Sequence, residues 1–212
     1  MIHHKNQRVG IFIDVQNMYY SARNLFNRKV HFGNVVKKIT GERQLIRATA
    51  YVVSTKTGEN QPFFDALNNL GIETKEKELK EYAGGQKKAD WDVGIAVDMI
   101  RAAQNLDVVV LVSGDGDFIP LVQYLKNAGK FVEVASFRET TSSELVEVLG
   151  ADNYINLSAN KRAFLIPERF NRIRHLAPLI LDERSRVFLI ELRIELQKGV
   201  HGLLVVAPHR FR

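Results

Sequence analysis

The chain has 212 residues, 45% of them hydrophobic, which is enough for one well-packed domain with an appendage but short for two full-sized domains. It has no cysteine, which excludes disulfide scaffolds, thiolate metal sites and cysteine nucleophiles and suits a reducing cytoplasm. The formal charge is +6, but residues 1–166 carry 21 basic against 19 acidic side chains and residues 167–212 carry 9 against 5, so charge alone does not make the body a nucleic-acid binder.

The opening MIHHKNQRVGIFID has no apolar core of a secretory signal, and no window holds the ~18 uninterrupted apolar residues of a membrane span. A soluble, cytoplasmic protein with no membrane partner is expected.

From Val9 to Leu157, apolar runs rich in β-branched residues alternate with segments of helical period, the pattern of a parallel α/β sheet. VGIFID predicts a strand over Val9 to Asp14, followed by helices over Asn17 to Asn27 and Asn34 to Thr40. A second strand is expected over Ile46 to Val53, a helix over Pro62 to Leu70, and a third strand over Ile72 to Glu78. The helix Asp92 to Gln104 leads to a fourth strand, Asp107 to Ser113, and the helix Phe118 to Ala128 to a fifth, Phe131 to Phe137. A last helix, Ser143 to Leu149, precedes a strand over Tyr154 to Ser158. The first, fourth and fifth strands are almost wholly apolar, as central strands covered on both faces are, whereas IETKEKE alternates with charge and reads as an edge. The expected organisation is one α/β domain over residues 8–158 and a basic extension, 159–212, of unknown role. Within that extension RVFLIELRIELQ is apolar at period two, which favours a strand over a helix, with GLLVVAP as a candidate hairpin partner.

In an open α/β sheet, ligands bind beyond the carboxyl ends of the strands. Asp14 closes the first strand, Asp115 and Asp117 follow the fourth, Asp92 begins a helix and Asn17 opens another. Each alone reads as a helix cap or turn residue. Together they read differently, because two like charges ~5 Å apart at an effective dielectric near 20 repel by roughly 3 kcal/mol, and a cluster needs a cation. Oxygen ligands without a well-placed histidine favour Mg²⁺ or Mn²⁺. Asp98 lies six residues after Asp92, about 120° away around a straight helix, so it is either a supporting residue behind the site or an exposed helix residue. Trp91 reads as a packing residue, with base stacking as the functional alternative.

The segments VGIFIDVQNMYYSARN, KKADWDVGIAVDMI, VVVLVSGDGDFIPLVQYLKNAGKFVEV and TTSSELVEVLGADNYINL, in this order, resemble the NYN domain, in particular its LabA-like branch within the PIN-like nucleases. The resemblance implies a three-layer α/β/α fold with a mostly parallel central sheet and an acidic metal site that cleaves RNA. It assigns catalytic roles to Asp14, Asn17, Asp92, Asp115 and Asp117, with metal ligation by the four acids and Asp98 as the second acid of its motif. A divalent ion at Asp14, Asp92 and Asp115 would acidify a water for in-line attack, and that ion or a second near Asp117 would stabilise the leaving 3′-oxygen. The products expected carry a 5′-phosphate and a 3′-hydroxyl. Asn17 would orient a water or a phosphate oxygen, and Ser113 would either donate to a phosphate or finish the strand. Lys87 and Lys88 in the Gly-Gly loop KEYAGGQKKAD, Arg138 and Arg23 are the candidate contacts to RNA, expected to be single-stranded; Tyr19, Tyr20 and Tyr82 are candidates for base stacking.

The leading expectation is a metal-dependent endoribonuclease. The alternative from another class is a non-catalytic RNA-binding or regulatory module whose acids hold a structural ion, and a homo-oligomer is compatible with either. A phosphatase of the haloacid dehalogenase type needs a second acid two residues after the first, and Gln16 stands there. A dinucleotide-binding domain needs a glycine-rich loop after the first strand, and IDVQNMYY has none.

Overall fold

Six strands pair into a single sheet in a computed structural model that describes residues 4–54, 61–78, 80–81, 87–88 and 90–167. In chain order its strands are β1 (Arg8–Asp14), β2 (Gln44–Ser54), β3 (Glu73–Glu78), β6 (Val108–Val112), β7 (Phe131–Ser136) and β8 (Tyr154–Asn156). Their spatial order is β3-β2-β1-β6-β7-β8, and every neighbouring pair is parallel. The charged IETKEKE run is indeed an edge, and the three most apolar runs, β1, β6 and β7, are interior. Two further short strands, β4 (Lys80–Glu81) and β5 (Lys87–Lys88), form an antiparallel ribbon apart from the sheet, in the segment that sequence suggested was only a loop.

Alternation along the strands divides the core into two layers, one on each face of the sheet. On one face Val9, Ile11 and Ile13 of β1 pack with Val108, Val110 and Val112 of β6 under α1 (Val15–Phe26), α2 (Phe32–Thr40) and α3 (Gln61–Asn69). On the other face Phe12, Tyr51, Val109 and Leu111 lie under α4 (Asp92–Ala103), α5 (Ile119–Asn127) and α6 (Ser143–Leu149). The result is a three-layer α/β/α fold. Gly10 belongs to the second face, where a Cβ would collide with Cδ1 of Leu106. Among the described residues no helix is long and apolar enough to cross a membrane.

The described chain runs past Ser158 into a short helix, α7 (Lys161–Phe164). Phe164 and Leu165 are buried in the first core layer, and the His31 and Ile166 amides donate to the carbonyls of Phe164 and Lys29 at 2.7 and 2.8 Å. The RVFLIELRIELQ and GLLVVAP segments lie outside the described residues.

Counted along the chain, the first three strands of the sheet run outward on one side of β1 and the last three on the other side. The order therefore reverses between β1 and β6, and at such a reversal the loops after the two strands diverge to opposite faces and leave a crevice at their carboxyl ends.

Candidate functional site

The crevice receives Asp14 from β1 and the SGDGD turn from β6, whose strands are in register from Val9↔Val108 to Ile13↔Val112. Asp14 is the N-cap of α1, and its Oδ1 accepts the Asn17 amide N–H at 3.0 Å. The helix thus starts at Val15, two residues earlier than expected, and Asn17 lies within its first turn rather than opening it. The reason is that a carboxylate ending a strand is itself a strong cap. The other oxygen, Oδ2, accepts the Ser113 hydroxyl at 3.3 Å. Asn17 Oδ1 accepts the Gly114 N–H at 3.1 Å, which fixes the amide orientation and leaves its NH₂ facing away from that bond.

Ser113 is fully buried; it donates to Asp14, and its oxygen accepts the Asp115 amide at 3.3 Å. Asp115 then caps a 3₁₀ turn, Gly116–Phe118, by accepting the Asp117 N–H at 3.0 Å. Of the paired acids, the cap is therefore Asp115, while Asp117 sits in the first turn with an exposed side chain. The glycines between them are explained by crowding. A Cβ on Gly114 would stand 2.9 Å from the Thr140 carbonyl oxygen and 3.1 Å from Thr141 Cα, and one on Gly116 would stand 3.2 Å from Ser142 Oγ. The segment after β7 closes on the turn, joined by a 2.9 Å bond from the Ser142 amide to the Gly114 carbonyl. A hydroxyl cluster holds that segment: Ser136 and Thr141 are 2.7 Å apart, Thr141 and Tyr154 3.1 Å, and Thr140 donates to Ser21 at 2.9 Å. TTSS after the fifth strand was the legible signal for Thr140, Thr141 and Ser142, and sequence reasoning quoted it within the family resemblance without giving these hydroxyls a role.

Asp92 comes from α4 on the other face. Its helix begins after Trp91, which offers no side-chain cap but anchors the turn, since its indole N–H donates to the Val52 carbonyl at 2.9 Å and its ring meets Tyr51 edge-on at 5.3 Å. Trp91 therefore packs. Gly94 makes room for it, because a Cβ there would come 2.6 Å from Trp91 Cε3.

Electrostatics join these acids. Burial pushes the Asp14 carboxyl up to about 6; Asp92 and Asp115 push the same way, against the bonds from Asn17 and Ser113. Asp92 is raised too, first by burial and then by Asp115, Asp90 and Asp117, with Lys77 opposing. Among the described residues, no lysine or arginine forms an ion pair with Asp14, Asp92, Asp115 or Asp117. The donor set has the chemistry a hard divalent cation needs, carboxylate oxygens that repel one another and form no ion pair among the described residues, with Lys77 offsetting part of the charge on Asp92. The set is open, for among the described residues no three His, Asp or Glu side chains stand at metal-holding spacing. His31 is used elsewhere, its Nδ1 accepting the Asn34 amide at 3.2 Å as the cap of α2.

Asp98 has other partners. It accepts the Tyr51 hydroxyl at 2.8 Å and the Lys75 ammonium at 2.6 Å, and although burial alone would raise its carboxyl, these bonds hold it below the usual value. Arg23 is on α1, its guanidinium bonded to the Tyr19 hydroxyl at 3.1 Å, and Tyr19 and Tyr20 are both exposed there. Arg138 lies in the 3₁₀ turn after β7, with Nη1 donating to the Thr141 carbonyl at 3.4 Å. The side chains of Lys87 and Lys88, and the whole of Tyr82, lie outside the described residues. Lys77 is a cation that sequence reasoning missed: its ammonium donates to the Asp90 carbonyl at 2.8 Å and lies 5.2 Å from the centre of the Trp91 ring.

The chain matches the NYN domain over residues 8–158. It is 31% identical over 163 residues to the Low amplitude and bright protein LabA of Synechococcus elongatus, covering 71% of this chain and 84% of that protein. A crystal structure of a protein of unknown function from Vibrio parahaemolyticus superposes with a TM-score of 0.69 at 31% identity, over 78% of this chain and all of the other. With three layers around a parallel sheet, acids at its point of reversal and a family match that spans both, this chain is a LabA-like member of the NYN domain family.

Proposed function

We propose that the protein is a metal-dependent endoribonuclease that hydrolyses phosphodiester bonds of single-stranded RNA in the cytoplasm. Membership of a nuclease-like family points to RNA. The observation that carries the chemistry is the convergence of Asp14, Asp92 and Asp115, from three distant segments, into one electrostatically coupled set that forms no ion pair among the described residues.

Asp14, Asp92, Asp115 and Asp117 would hold Mg²⁺ or Mn²⁺. When bound, such an ion supplies Lewis acidity, both to water and to the charge that develops on the phosphate. The chain supplies position. Asp14 is held by two hydrogen bonds from different segments, so one of its oxygens is aligned by α1 and the other by the turn after β6. Asn17, its carbonyl occupied by Gly114, has an amide NH₂ to offer a phosphate oxygen or the attacking water. Asp117, exposed in the turn after β6, would serve the leaving-group side. Arg23, Arg138, Lys87 and Lys88 are the cations proposed to hold the RNA backbone around the acids.

The test is cleavage of a 5′-labelled single-stranded RNA by the purified chain with Mn²⁺, Mg²⁺ or EDTA, beside Asp115→Asn. Cleavage that needs the ion and falls at least 100-fold in the variant is the expected result. If wild type and variant are equally inert while both bind RNA, the acids serve a non-catalytic RNA-binding or regulatory module instead.

A further inference from the structure

Two lysines on the edge strand β3 point to the same face of the sheet, two residues apart, yet their surroundings differ. Lys75 is neutralised: its ammonium is 2.6 Å from Asp98, in an ion pair roofed by the Tyr51 hydroxyl. Lys77 has no carboxylate partner among the described residues. It is nevertheless immobilised, by the Asp90 carbonyl and by the face of the Trp91 ring. A lysine ammonium has three N–H donors, and one is used here.

Strand register places this cation beside the acids. Asp14 of β1 pairs with Tyr51 of β2, and Tyr51 with Lys75 of β3, so one row crosses the sheet from the site to its edge. Lys77 stands one step beyond that row, opposite Val53, at the carboxyl end where ligands bind. Asp90 and Trp91, which hold it, immediately precede Asp92. An extended strand lying across the acids would meet a fixed positive charge on this bank, from a residue outside the family motifs quoted above.

We propose that Lys77 is a phosphate-binding residue, a pre-positioned ammonium that holds the RNA backbone on the β3 side of the Asp14, Asp92 and Asp115 cluster. The inference rests on the ribonuclease reading, and it differs from the bland alternative that Lys77 merely offsets the charge of Asp92. A phosphate contact releases a counter-ion from RNA, whereas an internal counter-charge does not.

The experiment is binding of a fluorescein-labelled oligouridylate to the full chain in EDTA, in an Asp115→Asn background, across a series of KCl concentrations. The variants are Lys77→Gln and Lys77→Arg. Lys77→Gln is expected to weaken binding several-fold and to lower the slope of log K against log salt by about 0.7, the share of one phosphate on a single strand. Lys77→Arg is expected to keep the wild-type slope. Trp91 is the only tryptophan in the chain, so its emission reports locally: unlabelled oligouridylate should change it with Lys77 present and not in Lys77→Gln. An unchanged slope in Lys77→Gln overturns the proposal, and a tighter Mn²⁺ site in Lys77→Gln made alone, with Asp115 intact and without EDTA, would identify Lys77 as a counter-charge of the acids. Metal-dependent cleavage alongside an unchanged slope leaves the ribonuclease standing and removes Lys77 alone. Failure of the wild-type chain to bind oligouridylate at any salt concentration overturns both.

Discussion

Asp14 is the residue on which the site turns, since it ends a strand, caps a helix and carries a carboxyl that burial pushes from 3.8 to about 6. A carboxyl whose folded value lies above its ordinary one binds protons more readily folded than unfolded. Its cost to stability is absent below pH 4 and complete above pH 6, up to about 3 kcal/mol for a shift of this size. Asp14→Asn removes that cost while keeping an oxygen for the Asn17 amide and placing an NH₂ that can donate to the Ser113 hydroxyl. In EDTA the variant is expected to unfold at a higher temperature than wild type at pH 7, and the difference should shrink towards pH 4. Added Mn²⁺ should raise the melting temperature of wild type and leave the variant unmoved. A variant less stable than wild type at pH 7 in EDTA would mean that the Asp14 charge is already compensated. Asp98 shows the opposite balance, for its bonds to Lys75 and Tyr51 outweigh its burial. Its angular separation from Asp92 was legible in the spacing, but its partners were not, because they come from two other strands.

Among the elements, the SGDGD turn shows why local rules are insufficient. Glycines flanking aspartates suggest turn chemistry, yet neither glycine has a positive φ; both are small because residues 140–142 lie against them. A Cβ at Gly114 meets two backbone atoms that cannot swing aside, so Gly114→Ala is expected to destabilise by about 1–3 kcal/mol, read by urea unfolding. The same variant should lose cleavage beyond what its stability explains, since the Ser142 amide bond to the Gly114 carbonyl ties the turn to the start of α6. Full stability in Gly114→Ala would mean that the Thr140–Ser142 segment yields easily. Helix starts were misread by two residues at both α1 and α2 for a related reason: the caps are Asp14 and His31, whose side chains accept amides three residues on, and residue type alone does not place the cap. Boundaries within a pattern of period 3.6 are set by such single bonds.

Across the molecule, one buried ion pair links parts far apart in the chain. Arg43, just before β2, meets Glu133 of β7 at 2.7 Å, both side chains 3% exposed, and also donates to the carbonyls of Ile39 and Thr40. Removing the guanidinium takes a two-bond partner from a buried carboxylate, so Arg43→Met is expected to cost about 3–5 kcal/mol in urea unfolding. Its effect on cleavage should follow from the loss of folded protein alone, because the pair belongs to neither the acid cluster nor its supports. A change below 1 kcal/mol would show that the Glu133 carboxyl finds other donors.

What could be read from residues alone was whatever repeats locally. Period-two and period-3.6 patterns marked all six strands of the sheet and six of the helices, the apolar character of β1, β6 and β7 marked them as interior, and acids at strand ends marked where chemistry would gather. The two-residue strands β4 and β5 and the short helix α7 were not legible, for two to four residues hold too little periodicity to register. Strand order is also invisible locally, because pairing is decided by contacts among residues tens of positions apart. That order puts β1 beside β6, and with it Asp14 beside Ser113 and Asp115. It also separates two lysines that look alike in IETKEKE: Asp98 neutralises Lys75, while Trp91 and Asp90 hold Lys77 with its charge unpaired among the described residues. A charge in a sequence has a sign; its partner, and so its energy, is chosen by the neighbouring strands and helices.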